Sequence, residues 1–242
     1  MHALSLLDSF DLGILTFLTS FVGKSPLFDH LINALSRLDL FKGVALMCVF
    51  WFTWANAPAS EPAVTTERRQ KRLTLVLIGT VLIGGLSRGL QLVLSLHMRP
   101  VLSNLGLPFP VTDFDARALS NWNSFPSDHA MFFFALGTGL FSVNRVSGTI
   151  AFLWTIAVID FPRMYLGIHY PSDVIFGALF GFLGMKAFLA LPLERFERML
   201  GLWRQAHPGL FLALLFFATD EVGHLLAELR ELAHSSSHIL LH

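Results

Sequence analysis

Arg163, His169 and Asp173 fall within eleven residues of an otherwise apolar chain, in Phe161-Pro162-Arg163-Met164-Tyr165-Leu166-Gly167-Ile168-His169-Tyr170-Pro171-Ser172-Asp173. Upstream, Pro126-Ser127-Asp128-His129 opens another apolar run, and Arg99-Pro100 closes a third. These residue types suit a bound phosphate. An arginine offers a planar fork that stays charged and donates two hydrogen bonds at once. Ser127 adds a hydroxyl, and a helix starting there turns free N–H groups and its positive dipole end toward the anion. His169 can attack phosphorus through an unprotonated ring nitrogen while Asp173, one helical turn later, holds the proton on the other. His129 can protonate the leaving oxygen and later take a proton from water. Together these steps make a two-step displacement through a phosphohistidine. Each residue also has a plainer use: Ser127, Asp128 and Asp173 as helix caps, the arginines as lipid-phosphate anchors.

The joint occurrence on one face favours chemistry, and the face follows from the order of apolar segments. Residues 73–96 form a long apolar helix that delivers Arg99 to one side of a membrane. The run 130–143 starts on that side, at Ser127 and His129, and ends at Arg145 on the other. The run 149–161 returns, bringing Arg163 and His169 back. The span 173–191 starts there at Asp173 and leaves again. Three sequence-distant polar clusters thus meet at one surface. The opposite side carries Arg68, Arg69, Lys71, Arg72, Arg145, Arg195, Arg198 and Arg204, so the positive-inside tendency places the site away from the cytoplasm. The expected location is a bacterial inner (plasma) membrane, with the site facing the periplasm or exterior.

Composition supports this frame. The 242 residues are 54% hydrophobic and 14% charged, with mean hydropathy +0.61, whereas soluble domains carry about 25% charged residues. The fold class expected is all-α, a polytopic membrane helix bundle of about six transmembrane helices. A single integral-membrane domain is expected over 1–242, with the catalytic core at 70–192 and an amphipathic or weakly hydrophobic segment at 194–242. Zero net charge gives no reason to expect nucleic acid as a partner. The single Cys48 excludes an internal disulfide and a multi-cysteine metal site. The N-terminus, with Asp8 and Asp11 in place of a basic region, does not read as a signal peptide. Residues 8–23 form a short apolar run, 26–37 an amphipathic helix, and 40–56 a span with Trp51 and Trp54 near one end. Residues 57–67 and 101–125 read as loops, the second with a short helix at 113–120 capped by Asp113. Gly177, Gly181 and Gly184 share one face of the span 173–191 and permit close helix approach. Residues 209–232 are a poorly hydrophobic span or an interfacial helix, and the tail, with His234, His238 and His242, a frayed end.

The pattern Pro126-Ser127-Asp128-His129, then Arg163, His169 and Asp173 at their spacing, resembles the second and third signature motifs of the type 2 phosphatidic acid phosphatases, a family that includes vanadium haloperoxidases. Arg99-Pro100 resembles the end of the first motif. The resemblance covers roughly residues 70–192. It implies that His169 is the nucleophile, Asp173 its partner and His129 the acid/base. Arg99, Ser127 and Arg163 would bind phosphate, and neither a metal nor another cofactor is implied. Three positions depart from the family. Leu92 stands where a lysine is usual, Asp128 where a glycine is usual, and Pro162 where a serine is usual. Arg88 lies four residues before Leu92, but helical side chains lean toward the N-terminus. It is therefore expected to point away from the site and pair inside the bundle, with Asp160 as a candidate partner.

The expected activity is a membrane lipid phosphatase acting on a lipid phosphate or polyprenyl pyrophosphate at the bilayer surface. Polyprenyl pyrophosphate, phosphatidic acid, phosphatidylglycerol phosphate and phosphorylated lipid A are the candidate substrates. Phe109, Phe114 and Trp122 are expected to shape access. The alternatives are a lipid phosphotransferase of the same family and a non-enzymatic transport or structural protein in which Arg88, Asp160 and the histidines form a polar path.

Overall fold

A computed structural model describes residues 2–56, 62–110 and 123–224. The expected helix at 113–120, with Phe114 and Trp122, and the tail histidines lie outside the described residues. Among these residues the structure is all helix and loop, without strands. In chain order the helices are α1 (His2–Thr19), α2 (Pro26–Arg37), α3 (Leu40–Ala55), α4 (Ala63–Val93), α5 (Asp128–Val143), α6 (Arg145–Tyr165), α7 (Pro171–Leu189), α8 (Glu194–Ala206) and α9 (Pro208–Gly223). Three of them, α4, α6 and α7, are long and apolar enough to cross a membrane; α2 and α3, bent by 77°, make a fourth if read as one broken span. By length and composition this is fewer than the six spans expected, because α5 is a shorter apolar helix and the N-terminal segments are short or bent. The apolar faces turned outward, among them Leu82, Leu86, Leu153, Ile156, Ile175 and Leu183, suit lipid as solvent, and the chain is an integral membrane protein.

α5 is the hub, packed against α7, α4 and α6. Its contact with α7 is close because α7 presents glycines there. A Cβ on Gly181 would strike the carbonyl of Met131, and one on Gly177 would lie 2.5 Å from the carbonyl of Ser127. Gly184, on the same face, sits at ordinary distance from Ile83 of α4. The apolar core between these helices includes Leu73, Val76, Ile83, Phe132, Leu136 and Met185.

Two of the long elements are not uniform α-helix. α3 opens with a π-helical turn, Leu40–Val44, and α6 passes through another, Thr155–Asp160, before its last turn. Such turns carry one extra residue per bond ring and re-aim the side chains that follow. The two segments are packed together, and the indole of Trp154 donates to the carbonyl of Phe41 at 2.7 Å.

α1 and α2 brace the end of the bundle where α6 hands over to α7. Asp11 of α1 accepts from the N–H of Ser172 at 2.8 Å and from its hydroxyl at 2.5 Å, capping the first turn of α7. Asp29 of α2 accepts from the hydroxyl of Tyr165 and from the N–H of Gly23 at 2.9 Å. Under these contacts lies a second apolar cluster, Leu18, Ile32, Tyr165, Leu166 and Ile168. The amphipathic face of 26–37 read from sequence is the face that carries Ile32 into it.

Candidate active site

The α6–α7 turn supplies the first histidine. Gly167 sits at φ 69°, a left-handed conformation that glycine adopts without steric cost, and the ring of Phe109 fills the space where a Cβ would stand. The Gly167 carbonyl accepts from the N–H of Val101 at 2.9 Å, which lays the segment after Arg99 across the turn. The carbonyl of Arg163 takes the N–H of Ile168 at 2.8 Å and of His169 at 3.3 Å, closing the loop on its own arginine. His169 is thereby fully buried.

The ring of His169 is oriented by a residue that sequence reading passed over. Its Nδ1 lies 2.9 Å from the carbonyl of Ser124, an acceptor only, so the proton belongs on Nδ1 and Nε2 carries the free lone pair. Burial pushes this imidazole below its ordinary value, which keeps it neutral at neutral pH. Asp173 does not hold Nδ1 directly, as expected from the four-residue spacing: the separation is 3.7 Å. It accepts instead from the hydroxyl of Ser124 at 2.5 Å, and that hydroxyl lies 3.4 Å from Nδ1. The reason is the first turn of α7, where the same Asp173 oxygen is claimed by the N–H of Tyr170 at 2.9 Å. The other oxygen faces His97, whose Nδ1 is 3.4 Å away and whose ring stacks on Tyr170 with centroids 4.8 Å apart.

The two arginines lie on either side. Arg99 places Nη1 2.9 Å from the carbonyl of Ile168 and 3.2 Å from Nε2 of His169. Its Nε is buried without a partner among the described residues, an unfilled donor beside His169. Arg163 donates through Nη2 to Nε2 of His129. Ser127 caps α5, its oxygen accepting from the N–H of Ala130 at 3.4 Å, while its N–H donates to the carbonyl of Asp173 at 3.1 Å. An accepting cap leaves the hydroxyl hydrogen free to donate. Arg99, Ser127, His129, Arg163, His169 and Asp173 are all buried at this one place, so the six residues singled out from sequence do come together.

Arg88 contradicts its expected placement. Its Nη2 lies 2.8 Å from Oδ2 of Asp128, and its Nη1 donates to Gln91 at 2.9 Å; Asp160 is not its partner. α4 ends at Val93, earlier than the apolar run suggested. Arg88 therefore sits within two turns of the helix end, and its long side chain reaches the start of α5. Gln91 in turn donates to the carbonyl of Pro126 at 2.9 Å, tying α4 to the loop that begins the second motif. Asp160, fully enclosed in the π-helical turn, has neither oxygen paired among the described residues. Lys42, ion-paired with Asp39 at 2.7 Å, lies within electrostatic reach of Arg163 and Asp128. Of the residues missed, Ser124 had a sequence signal, two positions before the second motif. Lys42 and His97 had none, because only packing brings them near. Among the described residues no group of three or more His, Cys, Asp or Glu could hold a metal ion. A cavity of about 580 Å³ lies beside Asp173, with Leu12, His97, Leu105, Phe125 and Phe176 among its walls.

The fold is an all-helical membrane bundle that gathers two histidines, three arginines and a serine at one place. The chain belongs to the PAP2 superfamily, whose family model matches residues 73–197. Among curated proteins it is 37% identical over 87 residues to the bacitracin transport permease protein BcrC of Bacillus licheniformis, covering 34% of this chain and 41% of that protein. It is 34% identical over 89 residues to YbjG of Escherichia coli, provisionally named an undecaprenyl-diphosphatase, covering 36% of this chain and 41% of that protein. The matches thus span about two fifths of the length of these relatives. Among solved structures it is similar to Aquifex aeolicus LpxE, at 22% identity and TM-score 0.49, covering 74% of this chain and 94% of that one. It is likewise similar to a transmembrane PAP2-type phosphatidylglycerolphosphate phosphatase from Bacillus subtilis, at 18% identity and TM-score 0.49, covering 76% and 84%.

Proposed function

We propose that this chain is a lipid phosphatase that removes phosphate from a polyprenyl diphosphate or a related lipid phosphate, with its site on the outer face of a bacterial inner membrane. The observation that carries the reading is the state of His169. Its Nδ1 proton is held by the Ser124 carbonyl at 2.9 Å, and its bare Nε2 faces Arg99 at 3.2 Å. That is a nucleophile aimed beside an anion-binding arginine. The name carried by YbjG points to a diphosphate of a polyprenol, and the apolar walls of the cavity beside Asp173 suit a lipid.

In the first step Nε2 of His169 bonds to phosphorus as the bond from phosphorus to the leaving oxygen breaks. His129 gives the proton from its Nε2 to that oxygen. Arg99, Arg163 and the hydroxyl of Ser127 take the charge that grows on the phosphoryl oxygens. For this Arg163 must exchange His129 for the phosphate. In the second step His129 takes a proton from water, the water oxygen bonds to phosphorus, and the N–P bond breaks, releasing inorganic phosphate and neutral His169. Purified protein in detergent should release phosphate from a polyprenyl diphosphate with a chelator present, and His169→Ala should lower the rate at least about a thousandfold. Unchanged release by His169→Ala would sink the reading.

A further inference from the structure

His129 has its own carboxylate. Oδ1 of Asp128 lies 2.9 Å from Nδ1 of His129 and also accepts the His129 backbone N–H at 2.9 Å. Oδ2 is held by Arg88 at 2.8 Å, and Arg88 is steadied by Gln91, itself bonded to the Pro126 carbonyl. The carboxylate therefore cannot swing away to serve only as a helix-start charge. The charged and titratable groups around it are Arg88, His129, Arg163, His169, Arg99 and Lys42. Most are cations, and Arg163 touches the very nitrogen of His129 that must carry the transferred proton.

Resting on the phosphatase reading above, we infer that Asp128, fixed by Arg88, is a positioning residue: it locks the Nδ1 proton of His129 and supplies the negative charge that lets Nε2 bear a second proton next to Arg163, and so sets which leaving groups the site can expel. Two adjacent cations without a counter-charge repel strongly in a buried site. An imidazolium beside a guanidinium accordingly needs Asp128. The need is greatest when the leaving group is a lipid alkoxide, which departs poorly unless protonated. It is smallest when the leaving group is a phosphate monoester, as with a lipid diphosphate, or a nitrophenolate. Asp128 should therefore extend the activity from diphosphates to lipid monophosphates.

The test compares the full-length protein with Asp128→Asn and Asp128→Ala in detergent, using an alkyl phosphate, farnesyl diphosphate and p-nitrophenyl phosphate. Both variants should lose about a hundredfold in kcat/KM, which reports formation of the phosphohistidine and not its hydrolysis, on the alkyl phosphate and no more than about threefold on the other two. Equal losses on all three would mark Asp128 as a mere structural cap and overturn the inference. Histidine ¹⁵N NMR on the same proteins reads the inference without turnover. Wild type should show His129 taking its second proton at a higher pH than Asp128→Ala does; an unchanged His129 titration overturns it. Absence of wild-type turnover on all three substrates would overturn the phosphatase reading instead, and the NMR comparison would still decide the role of Asp128 in holding the proton.

Discussion

Arg88 fixes the carboxylate of Asp128 beside His129. The N-terminal lean of helical side chains predicted a residue turned into the bundle, whereas the guanidinium meets Asp128 at 2.8 Å. Removing it leaves a carboxylate uncompensated next to the proposed phosphate position. Arg88→Leu should raise KM about tenfold or more for a phosphate substrate, with a smaller effect on kcat; steady-state kinetics of the folded variant would check this. A variant that loses thermal stability but keeps its KM would return Arg88 to a purely structural role. His97 gives a second residue-scale prediction. The Asp173 carboxylate 3.4 Å away holds the imidazole above its ordinary value of 6.5. A histidine raised in the folded state contributes stability that is fully present below its unfolded value and is lost as pH rises through its folded one. The wild-type advantage in Tm over His97→Asn should therefore be largest at pH values below the ordinary histidine value and be lost as pH rises above it. Half of the His97 side chain is exposed, so the difference should be small and should shrink further in salt. A Tm difference that does not change with pH would contradict it.

At the scale of elements, the site depends on how closely α5 and α7 approach. Ser127 starts one, Asp173 lies in the first turn of the other, and the backbone bond between them at 3.1 Å requires the glycine face of α7. The shared face of Gly177, Gly181 and Gly184 was legible in the sequence. Which helix would meet it was not, since glycine spacing names no partner. Gly181→Ala pushes a methyl group into the Met131 carbonyl and should cost about 1–3 kcal/mol, read as a lowered Tm in detergent. Gly184→Ala, facing Ile83 at ordinary contact distance, should be nearly neutral. If the two variants behaved alike, the close α5–α7 contact would be wrong. The amphipathic 26–37 and the short run before it also changed meaning at this scale. Nothing in their own residues placed them against the site, yet Asp11 and Asp29 hold the two ends of the turn that carries His169. An acidic residue on an amphipathic helix looks solvated until its partner, more than 130 positions away, is known.

For the whole molecule, the relevant prediction is sidedness. In inside-out and right-side-out vesicles, a phosphate substrate that cannot cross the bilayer should be hydrolysed in the right-side-out preparation alone, the ratio exceeding about tenfold. The opposite sidedness would invert the assigned topology. Helix class, the order of the apolar segments and the convergence of Arg99, Ser127, His129, Arg163, His169 and Asp173 on one surface were all determined by the sequence. Apolar runs in a membrane chain can be satisfied only as helices, and the parity of crossings then decides which ends share a side. The tertiary structure alone decided the contacts at ångström scale. Ser124 stands between His169 and Asp173, Asp128 belongs to His129 and Arg88, and His97 reaches Asp173 from another segment. Those contacts depend on where each helix stops, how it is rotated about its axis and how the loops cross. Local spacing leaves all three open, and close packing between distant segments settles them.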